Sequence, residues 1–210
     1  MTYRDILASD YFFETYSKIE FSKRDFPVNH GFIHVWHVIK NAKYLSKLFD
    51  LNAHEEELLL IASALHDVGY LEGRDDHAKT GAIKAREYLS GKIPESDVDI
   101  ICRAIASHGG HAECDFECKV SRSLIMADKL DFERTRYRED HAYKSVTVFL
   151  SVEKVELIKR EDSYEIEVLT TDKTLFDGDA HSFYFNKLQS VLEKLSKVLK
   201  KNIDINIKQI

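Results

Sequence analysis

The chain has 210 residues, of which 44% are hydrophobic and 31% charged, and a formal net charge of −6. Such a length holds one domain with a sizeable core in an ordinary globule, and the negative balance offers no global field for nucleic acid. No apolar run approaches the ~20 residues of a membrane span, the N-terminus has no basic-then-apolar leader, and three cysteines make no disulfide framework, so the expected compartment is the cytoplasm.

In chain order, Ser9 is a candidate N-cap for a first helix to about Phe21. Pro27 and Gly31 bracket a turn, PVNHG. A second helix runs from about Phe32 to Phe49, with His34, Val38, Asn41, Ala42, Leu45 and Leu48 on one face and His37 offset. Asn52 and Glu55 have the spacing of a capping box for a third helix. That helix is apolar all round over Leu58–Leu65, the pattern of a buried element. The pattern puts His66 and Asp67 on its last turn and gives Gly69 a left-handed C-cap role.

Asp75 or Asp76 caps the next predicted helix, His77 to Leu89, which Gly91 closes. Another starts at Pro94 and Ser96 and carries Val98, Ile101, Cys102 and Ile105 on one face, with His108 at its end before Gly109 and Gly110. From about Cys118 to Phe132 a further helix sets Asp128 among Val120, Leu124 and Ala127. From Ser145 the period changes to two, and Val146 to Val155, the polar turn KREDS, and Tyr164 to Leu169 read as a β-hairpin. An amphipathic helix over about Ala180 to Leu199 follows, and the tail KNIDINIKQI reads as irregular or a short strand. No repeat or linker divides the chain, so 1–210 is read as a single domain.

His34, His66, Asp67, His77, His108 and Asp128 are polar residues at apolar positions or helix ends. Burying ionisable groups is costly unless they are paired or bind a metal. Imidazoles with carboxylates suit a divalent cation, and one metal site would explain all six.

The order His34, then His66-Asp67, then Asp128, in the contexts HVWHV, ALHDVG and MADKLD, resembles the HD superfamily of metal-dependent phosphohydrolases, over roughly residues 28–140. The resemblance implies a mainly α fold. It would be an HD-domain helical bundle with the metal in its middle (28–140), on which a C-terminal β-hairpin and final helix (145–210) pack. It implies metal ligands at His34, His66, Asp67 and Asp128 for Mn, Fe, Co, Ni, Zn or Mg. HAKTGA around His77 and AIASHGG around His108 resemble motifs of binuclear members, where Asp67 bridges two ions. One or two ions per chain are therefore expected, with catalytic work for Asp67, His66 and Lys129. The cyclic-dinucleotide phosphodiesterases called HD-GYP are disfavoured because HDVGY is followed by no GYP motif. The stringent-response hydrolases are disfavoured because their acidic pair after the doublet is missing.

Arg134, Arg136, Arg138, His30 and His111 are candidates for contact with a substrate phosphate, and His54, His141 and His181 carry no signal. A closed zinc site from His108, His111, Cys114 and Cys118 is a competing arrangement, though the spacing is loose. The expected activity is phosphomonoesterase or phosphodiesterase action on a nucleotide or other small phosphate ester. The alternatives are an HD-type di-iron oxygenase and a nucleotide-binding sensor with a structural metal. The expected partner is a small phosphorylated molecule, not a membrane, with nucleic acid disfavoured and homo-oligomerisation left open.

Overall fold

Asn52 opens the helix on which the metal-ligand candidates depend. Its side chain accepts from the Glu55 backbone N–H while the Glu55 carboxylate accepts from the Asn52 N–H, a complete capping box. The structure is a computed structural model and describes residues 1–22, 28–73, 75–109, 114–137, 144–179 and 182–210. No helix among them is long and apolar enough to cross a membrane. The chain is mainly helical and divides into two compact units. The first takes in the described residues of 1–23 and 30–128, the second those of 24–29 and 129–210.

In the first unit the helices are α1 (Tyr3–Leu7), α2 (Asp10–Glu20), α3 (Phe32–Leu48), α4 (Ala53–Leu65), α5 (His77–Leu89), α6 (Glu95–Ser107) and α7 (Lys119–Lys129), the last ending at the unit boundary. α4 is the central element: Leu58 to Leu65 are all buried, and α1, α3 and α6 pack against it. Ser9 caps α2 as expected, but the N-terminal region holds two helices rather than one, because Thr2 and Asp5 form a separate capping box for α1. α4 stops at Leu65, so His66 is its C-cap and Asp67 lies beyond it, which corrects the placement of both on the last turn. Gly69 has φ −84°, not a left-handed conformation; its lack of a side chain matters for a different reason, given below. Gly91, at φ +76°, does close α5 as expected.

The second unit holds α8 (Lys144–Leu150), β1 (Val152–Lys159), β2 (Ser163–Thr170), α9 (Ser182–Leu199) and β3 (Asn202–Gln209). The hairpin is present, and β2 buries every second residue. One expectation is corrected, and of the two readings of the tail the strand holds. The segment before Ser151 is helix, not strand: Val148 and Phe149 are adjacent and both buried, which strand alternation cannot achieve. The tail is a full strand, β3, running parallel to β2 in the order β1-β2-β3. α9 supplies the crossover that a parallel pair requires, with Leu188, Val191, Leu192 and Leu195 buried. Pro27, His111, Arg138, His141, Ala180 and His181 lie outside the described residues.

Because Asn52 serves the start of α4 and touches no ligand candidate, Asn52→Ala is expected to lower stability by about 1 kcal/mol in urea unfolding, with metal content per folded chain unchanged.

Candidate metal centre

Six side chains converge inside the first unit, each delivered by a helix end or first turn. Glu20 of α2 accepts from the Phe32 N–H at 3.1 Å and so stabilises the start of α3, two residues before His34. Asn41, also on α3, donates to the Ala127 carbonyl at 3.1 Å. That bond ties the end of α7 to α3 and sets Asp128 opposite His34. Asn41 gave no functional signal in the sequence, where it reads as part of an apolar face.

His66 and His108 are built alike. Each is the C-cap of its helix, and each ring Nδ1 donates back to a carbonyl three residues earlier, His66 to Ser63 at 2.8 Å and His108 to Ile105 at 2.6 Å. These carbonyls belong to the last helical turn, where i→i+4 donors run out; that of Ile105 also accepts from the His108 backbone N–H at 3.3 Å. A carbonyl only accepts, so Nδ1 carries a proton and each ring turns its Nε2 toward the centre.

Around Asp67 the distances fall into two halves. Oδ2 lies 3.3 Å from His34 Nε2 and 3.2 Å from His66 Nε2. Those two nitrogens are 3.0 Å apart, and Asp128 Oδ1 is 3.3 Å from His34 Nε2. Oδ1 lies 3.5 Å from both His77 Nε2 and His108 Nε2, which are 2.9 Å apart. Two triads, His34–His66–Asp128 and His66–Asp67–His108, have ligand atoms all within 4.8 Å of one another. Of the six residues, His77 alone keeps partial exposure.

Burial opposes a charge on Asp67, but His66, His30, His108 and His34 outweigh it and hold the carboxyl well below the usual carboxylate range. Burial pushes His108 down to about 4, against the pull of Asp67. The result is a buried carboxylate, neither oxygen of which has a hydrogen bond, faced by the Nε2 atoms of four imidazoles. Donor atoms crowded together in this way repel one another unless a cation lies among them. An octahedral ion with ligands at about 2.1 Å keeps neighbouring ligands about 3.0 Å apart, close to the spacing of both halves. The donor set therefore fits one or two divalent ions, with Asp67 offering one oxygen to each half.

His30, at the edge of the centre, stacks on Tyr70 with centroids 4.1 Å apart, and its ring lies 5.7 Å from that of His34 and 6.2 Å from that of His77. Tyr70 had no sequence signal. Tyr16 is fully buried, and proximity to Asp67 adds to burial in raising its phenol well above the ordinary value. The competing zinc arrangement fails at His108, whose Nε2 belongs to the pair with His77, while Cys114 Sγ donates to the Ser107 carbonyl. In the second unit, Arg134 pairs with Glu153 at 2.7 Å, and Arg136 is buried against Asp131. Lys129 is buried there, and its carbonyl accepts from Tyr184 Oη. Partners inside their own unit give Arg134 and Arg136 a structural occupation that the sequence did not show.

Residues 31–133 match the HD domain family, and over that stretch the chain belongs to it. A solved structure described as a predicted HD superfamily hydrolase from an uncultured Thermotogales bacterium is similar over 94% of this chain and 91% of its own, at 18% identity and a TM-score of 0.48. No curated protein matches the chain.

Asp67→Ala is expected to abolish tightly bound metal, measured by elemental analysis of the purified protein. His77→Ala or His108→Ala should lower the content from about two ions to about one, as a two-metal site requires. For the metal-free protein the pH dependence has a definite sign. His108 titrates at about 4 when folded against an ordinary 6.5, so the unfolded chain binds the extra proton between these values. Stability contributed by neutral His108 is complete above pH 6.5 and is lost as pH falls toward about 4. Melting temperatures in chelator should fall across that window, and less steeply in His108→Gln.

Proposed function

We propose that the chain is a metal-dependent phosphohydrolase acting on a small phosphate ester, with a nucleotide favoured. The observation that carries this reading is the buried Asp67 carboxylate, with one oxygen facing His34 and His66 and the other facing His77 and His108. When bound, divalent metal supplies polarisation of a phosphoryl oxygen and acidification of water. The chain's residues do the rest. His34, His66, Asp67 and Asp128 hold one half of the centre, and His77 and His108 with the second oxygen of Asp67 hold the other. The Ser63 and Ile105 carbonyls keep the protons of His66 and His108 on Nδ1, so both rings stay ligands. His30 stands on the side where His77 is partly exposed, and its stack on Tyr70 fixes the ring. We assign to it the contact with the incoming phosphate. Arg134 and Arg136 are left with their carboxylate partners.

The same ligands suit a di-iron oxygenase, so ligand mutagenesis does not separate the two activities; the role of the metal does. The test is anaerobic turnover of a phosphate-ester panel after iron has been stripped and Mn or Mg supplied. Phosphate release under those conditions is expected. Turnover that needs reduced iron and consumes dioxygen would overturn the reading, and nucleotide binding with no turnover in either condition would make the protein a sensor. His30→Ala is expected to raise KM for the active ester about tenfold, as loss of one charge-assisted contact would, with metal content unchanged.

A further inference from the structure

We propose that the contact between Gly69 and Gly81 sets the spacing of the second half of the centre, so that these glycines are positioning residues for His77. The proposal rests on the two-ion reading above. Gly69 lies two residues after Asp67, and Gly81 lies one helical turn after His77 on α5. A Cβ at Gly69 would stand 2.3 Å from the Gly81 nitrogen and 2.5 Å from the His77 carbonyl oxygen. In an α-helix those two groups are bonded to each other, so Gly69 sits directly against the bond that closes the first turn of α5. The approach is mutual: a Cβ at Gly81 would stand 2.9 Å from the His66 carbonyl oxygen. Thr80 Oγ1, also within 2.6 Å of the Gly69 Cβ position, already donates to the Asp76 carbonyl at 2.9 Å.

The obstructing atoms at Gly69 are mostly backbone, which cannot rotate aside. Ordinary contact begins at 3.4 Å, so a methyl at Gly69 displaces the first turn of α5 by about an ångström, in an interior that does not deform continuously. That turn carries His77, whose Nε2 is held 2.9 Å from His108 and 3.5 Å from Asp67. The first half of the centre takes nothing from α5: His34, His66 and Asp128 come from α3, the end of α4 and α7. Gly69 therefore acts through α5 on the second half of the centre, whereas a side chain at Gly81 would also press on the His66 carbonyl and so reach the first half. Gly73 provides a control, because nothing lies within 4 Å of its Cβ position and its φ of 163° is extended backbone.

The experiment compares the full-length chain with Gly69→Ala, Gly81→Ala and Gly73→Ala. Mn stoichiometry and affinity are measured by calorimetry, and histidine ring nitrogen signals of the metal-free proteins by NMR. The wild type and Gly73→Ala should take two ions. Gly81→Ala, whose methyl also meets the His66 carbonyl, should weaken the second ion at least tenfold, the scale on which displaced supporting groups act, and weaken the first ion less. Gly69→Ala should take one ion. In metal-free Gly81→Ala the His77 signals should move while those of His34 stay. Two ions at wild-type affinity in both variants, joint loss of both ions, or an unmoved His77 signal would overturn the proposal. If Gly69→Ala does not fold, Gly81→Ala decides alone. A wild type that takes one ion would sink the two-ion reading, and the ring signals would still decide the spacing claim.

Discussion

The negative charge of Asp67 in the interior is the constraint on which the rest of the first unit depends. A carboxylate deprived of water is costly unless compensated, and here the surrounding groups are imidazoles rather than ammonium or guanidinium groups. Two of those rings, His66 and His108, are turned by their own helix-end carbonyls so that Nε2 faces the charge. The interior thus gathers groups that could hold a cation, and a bound cation would offset their crowding.

Helix ends supply the geometry. α4 and α6 each finish on a histidine that satisfies a last-turn carbonyl, α5 begins with a histidine, and α7 brings Asp128 near its C-terminus. The body of α4 does the apolar packing, which leaves its end free for chemistry. Three connections keep those ends in register: Glu20 at the start of α3, Asn41 to the end of α7, and Gly69 against the first turn of α5. None touches the ligand atoms.

The candidate ligands were legible in the sequence because they break a pattern: a histidine or aspartate on an apolar helical face is conspicuous. The helix that carries His66 was legible because Leu58–Leu65 is apolar on every side and Asn52 and Glu55 announce its start. The supports were less legible. Asn41 looks like a neutral member of a stripe, and Tyr70 looks like a loop aromatic. Gly69 was noticed for the wrong property, since its backbone angle is ordinary and the need is for missing volume. In the second unit, β-branched residues before Ser151 suggested a strand, but burial of Val148 and Phe149 side by side favours helix. The tail's alternation was short of decisive because pairing with β2 depends on α9 returning the chain. The helix before Ser151 is a case of tertiary packing overriding local preference.

The most direct measurement of the central claim is anomalous diffraction from crystals of the protein loaded with Mn. The account predicts two peaks roughly 3.5–4 Å apart, one among His34, His66 and Asp128 and the other beside His77 and His108, with one Asp67 oxygen directed at each. A map with no peak at Asp67, or with metal bound elsewhere on the chain while Asp67 stays buried and bare, would contradict it.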